Sequence, residues 1–266
     1  MNVNKYYILV TEGVTDCSLL EAIMEKYMGY KAYEMVKDLP QLFKQMIGKY
    51  PTVTGELKRQ DSPTFYYKDN IGIAIKQANG YSQIPDKIGA LIENIDKLDI
   101  YEEFAGFLIF CDTDLKTKDE TFEIFTKRFE ENNIKYENNS LTVYGNDINC
   151  WMYLFPSDGE GAVEKLLLDC AKISYNRVFN VAKEYKDSIM LNEYESLRKE
   201  CWAKDVKIQK FYADKVHFGA ISTVLKPDRP VRFSIKDKII RTSLFDEYMK
   251  LPEFQQLVDF LTSIIT

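Results

Sequence analysis

Four carboxylates stand in two short patterns that could carry acid chemistry. Glu12 follows the apolar run Ile8-Leu9-Val10 and precedes Gly13, and Asp16 lies four positions further on. Asp112 and Asp114 follow a second apolar run, Phe107-Leu108-Ile109-Phe110-Cys111, about a hundred residues later. In an extended segment, residues two apart project to the same side. Two like charges held so close repel unless a cation lies between them. Oxygen-only donors suit hard divalent ions such as Mg2+ or Mn2+. Each pattern also has a plainer explanation. Acids at a helix start are favoured by the backbone dipole and by capping, and a bare D-x-D occurs in glycosyltransferases, phosphohydrolases and ordinary turns. Gly13 is expected to let the backbone turn sharply between Glu12 and the next helix.

The other side chains narrow the chemistry. There is one histidine, His217, on the apolar stretch Val216–Phe218, where packing is its expected role. Catalysis therefore leans on carboxylates, lysines and a metal rather than on a His-based triad. The five cysteines (17, 111, 150, 170 and 201) have no C-x-x-C spacing, and they read as reduced core residues rather than a zinc site. Net charge is −6, unlike a typical nucleic-acid binder, but the distribution is uneven. Lys204 to Arg241 holds ten Lys/Arg against four Asp. That stretch is either a solvated basic surface or a phosphate-facing flank.

These residues need a frame. Residues 5–11 form an apolar strand of the kind buried on both faces of a parallel sheet. A helix over Thr15–Met28 follows, with Leu19, Leu20, Ile23 and Met24 on one stripe. Strands are expected at 64–68, 71–76, 106–111, 141–144 and 149–155. Helices are expected from Pro85, over 118–132 and from Ala162. Residues 30–69 read as an insertion or, slightly favoured, a polar connection. After Ser174 the pattern is helical to about 220, then polar and Pro-rich, and a helix around Phe254, Leu257 and Leu261 ends the chain. Alternating strands and helices at this spacing predict an α/β sheet with crossovers. Ligands in such sheets gather at the carboxyl ends of strands, where Glu12, Asp112, Asp114 and the 156–164 loop all fall. The expected organisation is an α/β core over 1–173 and a mostly helical, basic part over 174–266 packed on it.

Glu-Gly-x-x-Asp after a first strand, then Asp-x-Asp after a later one, resembles the TOPRIM domain of topoisomerases, bacterial primases and OLD-family nucleases. Further stretches are similar to small stand-alone TOPRIM-like proteins: Ala78 to Pro85, Tyr153 to Pro156, Gly161-Ala162-Val163-Glu164, Asp214-Lys215-Val216 and the tail from Pro252. The resemblance implies a mainly parallel, Rossmann-like sheet flanked by helices, with a helical C-terminal extension. It implies that Glu12 is a general acid/base or metal ligand and that Asp112 and Asp114 bind Mg2+ or Mn2+. Asp16 and Glu164 would complete the metal set. Lys215, with Lys210 as rival, would offset charge at a scissile phosphate, and Lys210, Lys226, Arg229 and Arg232 would contact DNA or RNA.

The implied function is a metal-dependent nuclease, similar to effectors of anti-phage defence. The chain holds no P-loop motif, so either an ATPase of the kind that accompanies OLD-like proteins acts in trans or the protein acts alone. The helical part would serve as a nucleic-acid flank or as a homo-oligomer surface. The alternatives are a non-catalytic binding or sensing module, and a D-x-D transferase or phosphohydrolase. No stretch approaches the ~20 apolar residues needed to span a bilayer and no signal-peptide pattern opens the chain, so a cytoplasmic location without membrane contact is expected.

Overall fold

The computed structural model describes residues 3–47, 63–190 and 212–265. Its frame is a mixed eight-stranded sheet in the order β2-β3-β4-β1-β5-β8-β7-β6. The strands are β1 (Lys5–Thr11), β2 (Lys31–Ala32), β3 (Thr64–Lys68), β4 (Ile71–Gln77), β5 (Phe104–Asp112), β6 (Lys135–Glu137), β7 (Ser140–Val143) and β8 (Asn146–Phe155). β4, β1, β5 and β8 run parallel, and an antiparallel pair flanks them on either side.

Alternation along the strands builds two cores. Tyr7, Leu9, Ile75, Leu108, Phe110 and Phe155 face one side. Ile8, Val10, Ala74, Ile109, Cys111 and Leu154 face the other. Both faces of β1 are buried, which is why its sequence reads as a continuous apolar run. On the first side pack α1 (Val14–Lys26), α5 (Val163–Ser174), α7 (Tyr212–Leu225) and α8 (Pro252–Ile264). On the second side pack α2 (Gln41–Ile47), α3 (Ile84–Leu98) and α4 (Lys118–Glu131). α6 (Asn176–Met190) lies against α5 and α7.

Residues 30–69, read as an insertion or a polar connection around a strand at 64–68, contain that strand and extend the sheet. They supply β2, β3 and α2, and β3 pairs with β4 along its whole length. Thr64, Phe65 and Tyr66 are buried there, because the edge of the parallel core still needs a partner for its backbone groups. The Pro-rich stretch after Pro227 also carries more structure than its polarity suggests. Residues Val231–Ser234 form one helical turn and Ile235–Ile239 a π-helical one.

The C-terminal part is tied to the core by polar contacts as well as apolar ones. Glu21, buried on α1, accepts from Arg232 Nη2 at 2.6 Å and Nε at 3.1 Å, and from Thr64 Oγ1 at 2.9 Å. Lys236 bridges to Glu25 at 2.7 Å and to Glu21 at 3.4 Å. The Glu253 carboxylate accepts from the backbone N–H and hydroxyl of Ser157 and from Tyr153 Oη. That contact pins the start of α8 to the loop after β8. Cys17, Cys111, Cys150 and Cys170 are buried thiols, and Cys201 lies outside the described residues. Among the described residues no helix is long and apolar enough to cross a membrane.

Candidate carboxylate site at the sheet's switch point

Strand order reverses at β1, since β4 lies on one side of it and β5 on the other. Open α/β sheets form a crevice at such a point, outside the carboxyl ends of the two strands. Glu12 sits at the end of β1 and Asp112 at the end of β5. The two ends are stitched together: Glu12 N–H donates to Phe110 O at 3.0 Å, and Asp112 N–H donates to the Glu12 carboxylate at 3.3 Å.

Each remaining acid arrives on its own element. Asp16 is in the first turn of α1, where Oδ2 accepts from Gly13 N–H at 2.8 Å. This is the ordinary capping role of such a residue, yet it occupies only one oxygen. Oδ1 is buried and has no hydrogen-bond partner. Glu164 starts α5, and its Oε2 is likewise buried without a partner. Asp112 Oδ1 accepts from Val163 N–H at 2.9 Å, so the start of α5 is anchored to the end of β5. Lys215 comes from α7 and is half-buried.

Burial and mutual repulsion shift these groups together. Desolvation raises the Asp16 carboxyl to about 8, and Glu12 and Glu164 add to the rise while the Gly13 N–H opposes it. Asp112 is raised well above its usual range by burial, then by Asp16, Glu164 and Glu12. Burial also raises Glu12 and Glu164, and for both Lys215 works in the opposite direction. Burial disfavours the Lys215 ammonium, but the fields of Glu164, Asp112, Asp114 and Glu12 outweigh it and hold its pKa above the usual lysine value. The five acids and Lys215 predicted from the sequence are thus one electrostatic unit.

Two details of the predicted geometry are corrected. Gly13 is extended (φ −141°, ψ −174°), and a Cβ there would meet nothing closer than Asp16 Oδ2 at 3.7 Å. The turn into α1 therefore does not require glycine. Nor does strand pleating align Asp112 with Asp114. β5 ends at Asp112, Asp114 has φ 53°, and its N–H donates to Gly161 O at 2.8 Å. The loop before α5 holds Asp114, not the sheet.

The intervening Thr113 organises that loop. It is fully buried, and its Oγ1 lies within hydrogen-bonding distance of Phe155 O, Gly159 O and Gly161 O and accepts from Gly161 N–H. Nothing in the sequence singles it out, because its partners come from a loop more than forty residues away.

The predicted nucleic-acid contacts fare differently. Arg232 does not face the crevice. Its guanidinium is spent on buried Glu21, about one and a half turns along α1 from Asp16. Lys226 pairs with Asp237 at 2.8 Å, and exposed Arg229 lies 5.8 Å from the centre of the Phe233 ring. Lys210 lies outside the described residues. His217 is buried, with a ring nitrogen 2.9 Å from Phe179 O, and takes no part in the carboxylate group.

An oxygen-only set of side chains is the type of donor that a hard divalent cation prefers. All the ligating atoms would be oxygens, and two buried carboxylate oxygens lack any other partner. Among the described residues, no three or more acidic, cysteine or histidine side chains are grouped so that they could hold a metal ion.

No protein-family model and no curated protein matches the chain. Among solved structures it is similar to the crystal structure of a hypothetical protein from Pyrococcus horikoshii OT3. The TM-score is 0.58 at 17% identity, over 97% of this chain and 99% of that one. At this identity the likeness concerns the fold alone. It covers the α/β sheet and the helical C-terminal part together.

Proposed function

We propose that this protein is a divalent-metal-dependent phosphodiesterase of TOPRIM type that cleaves DNA or RNA. The observation that carries the reading is the pair of partnerless buried oxygens, Asp16 Oδ1 and Glu164 Oε2. They belong to a carboxylate group at the sheet's switch point, beside a half-buried lysine. Leaving buried carboxylate oxygens unsatisfied is expensive, and a cation binding there would relieve it.

Asp16, Asp112, Asp114 and Glu164 are the candidate ligands, with Glu12 as ligand or proton-transfer group. Burial raises the Glu12 carboxyl above its ordinary value, the direction that makes a carboxylate a better proton acceptor. Bound Mg2+ or Mn2+ would neutralise phosphate charge and orient water. Lys215, kept charged by the surrounding acids, would stabilise negative charge growing on the phosphate. A partner ATPase in trans and a role in anti-phage defence are extensions of the same proposal.

The test incubates purified protein with plasmid, single-stranded DNA and total RNA in Mg2+ or Mn2+, alongside Glu12→Gln and Asp112→Asn. Metal-dependent cleavage that both substitutions abolish is expected. Cleavage that survives both overturns the site assignment. Absence of cleavage on every substrate favours a binding or sensing module instead.

A further inference from the structure

The loop Ala78–Gln83 carries an aromatic ring, Tyr81, against which two cations from other elements gather. Gly80 N–H donates to Glu12 O at 2.9 Å, which fixes the loop against the end of β1. Tyr81 follows at once, its ring half-buried against the second core. Lys116 Nζ lies 4.9 Å from the centre of that ring and the Arg128 guanidinium 5.7 Å from it. Arg128 is further held by a bond from Nη1 to Ser82 O at 2.9 Å. Lys116 belongs to the turn after Asp114, closed by its N–H to Thr113 O at 3.0 Å.

Among the described residues, neither Lys116 nor Arg128 has a carboxylate within ion-pair distance. The cations of the C-terminal stretch are placed differently. Lys226, Arg232 and Lys236 are engaged by Asp237, Glu21 and Glu25. An arginine held by one Nη and one ring face keeps other N–H groups for a phosphate, and a lysine over a tyrosine keeps its charge.

The arrangement is two-sided. Asp16, Glu164 and Lys215 come from helices on the first face of the sheet. Tyr81, Lys116 and Arg128 come from elements bordering the second. Glu12 and Asp112, at the ends of β1 and β5, belong to the sheet that separates these two faces. An anionic chain drawn across this edge would meet cations on both flanks.

We propose that Tyr81, Lys116 and Arg128 form a phosphate-binding rim that grips a phosphodiester chain next to the carboxylate group. The substrate of the site is then a polynucleotide strand carrying several phosphates, not a phosphomonoester or a small diester. This rests on the reading of the carboxylates as a nucleic-acid-cleaving centre, and it is tested by binding rather than cleavage.

The protein is the Glu12→Gln variant in Mg2+. The probes are fluorescein-labelled single-stranded DNA and RNA of one sequence, titrated by anisotropy at several salt concentrations. Adding Lys116→Gln should weaken binding several-fold and lower the salt slope by about 0.7. Adding Arg128→Gln should lower it by a similar step, while Lys116→Arg should restore the parent slope. Lys226→Gln, in which the cation is already paired with Asp237, is the control and should leave the slope unchanged. A parent that binds neither strand overturns the rim, as does a Lys116→Gln protein with the parent's affinity and slope. Loss of binding that Lys226→Gln matches overturns it too. Lys116-dependent binding by a wild-type protein that cleaves nothing would leave the rim standing and remove the nuclease reading.

Discussion

Asp16 couples the carboxylate group to stability in a way that can be measured without any substrate. Its carboxyl is raised from 3.8 to about 8 by burial and by the neighbouring Glu12 and Glu164. A carboxyl with a higher pKa in the folded than in the unfolded state binds more protons when folded. Stability gained this way is complete at a pH below the unfolded value and is lost as pH rises toward the folded one. The window here runs from about 3.8 to about 8, with a slope of about 1.4 kcal/mol per pH unit. Between about pH 5 and about pH 8, the metal-free protein should therefore lose about 4 kcal/mol from Asp16. For a chain of this size that is a fall in Tm on the order of 10 °C. Asp112, Glu12 and Glu164 are shifted in the same direction and steepen the loss. Asp16→Asn removes the titration but keeps the shape and one acceptor for Gly13 N–H. Thermal melts in chelator should show a flatter pH profile and a higher Tm at alkaline pH than wild type. In Mg2+ the order should invert, because wild type gains by binding the cation and the variant has lost a ligand. A wild-type Tm that stays level or rises over this window would refute the reasoning, as would an Asp16→Asn protein with the wild-type slope.

Three further outcomes follow from the packing. Arg232→Met should cost about 3 kcal/mol, because it strips the main partner from buried Glu21; urea denaturation should show the double variant Glu21→Met/Arg232→Met recovering most of the loss. Thr113→Val should cost about 1–3 kcal/mol by leaving Gly161 N–H without its acceptor, and amide exchange should locate the loosening in residues 156–162. Gly106→Ala should cost about 2–4 kcal/mol: the residue has φ 146°, and an added Cβ would sit 2.6 Å from Asn149 O. A melt within about 2 °C of wild type would contradict that account.

The sequence by itself determined a good deal. Apolar runs with strand and helix periods located most elements to within a few residues, because burial on one or both faces imposes those periods. They also placed Glu12 and Asp112 at strand ends, which the sheet later brought together. Local chemistry anticipated that Asp16 would cap α1. It could not show that only one of its oxygens does so, since whether the other is satisfied depends on α5 and its neighbours. Charge counting failed for Arg232 for the same reason. A run of basic residues has a net charge in sequence, but whether each cation is free depends on acids from elsewhere, here Glu21 on α1. Lys116 and Arg128 carried no signal at all, being single cations on separate elements joined only through Tyr81. Strand pairing of residues 64–68 was settled by the unfilled edge of the parallel sheet rather than by composition. The sequence specified periodic burial and the residue types available for chemistry. The tertiary structure decided which oxygens are left without partners and which cations are left without counter-charges, because both depend on contacts between residues far apart in the chain.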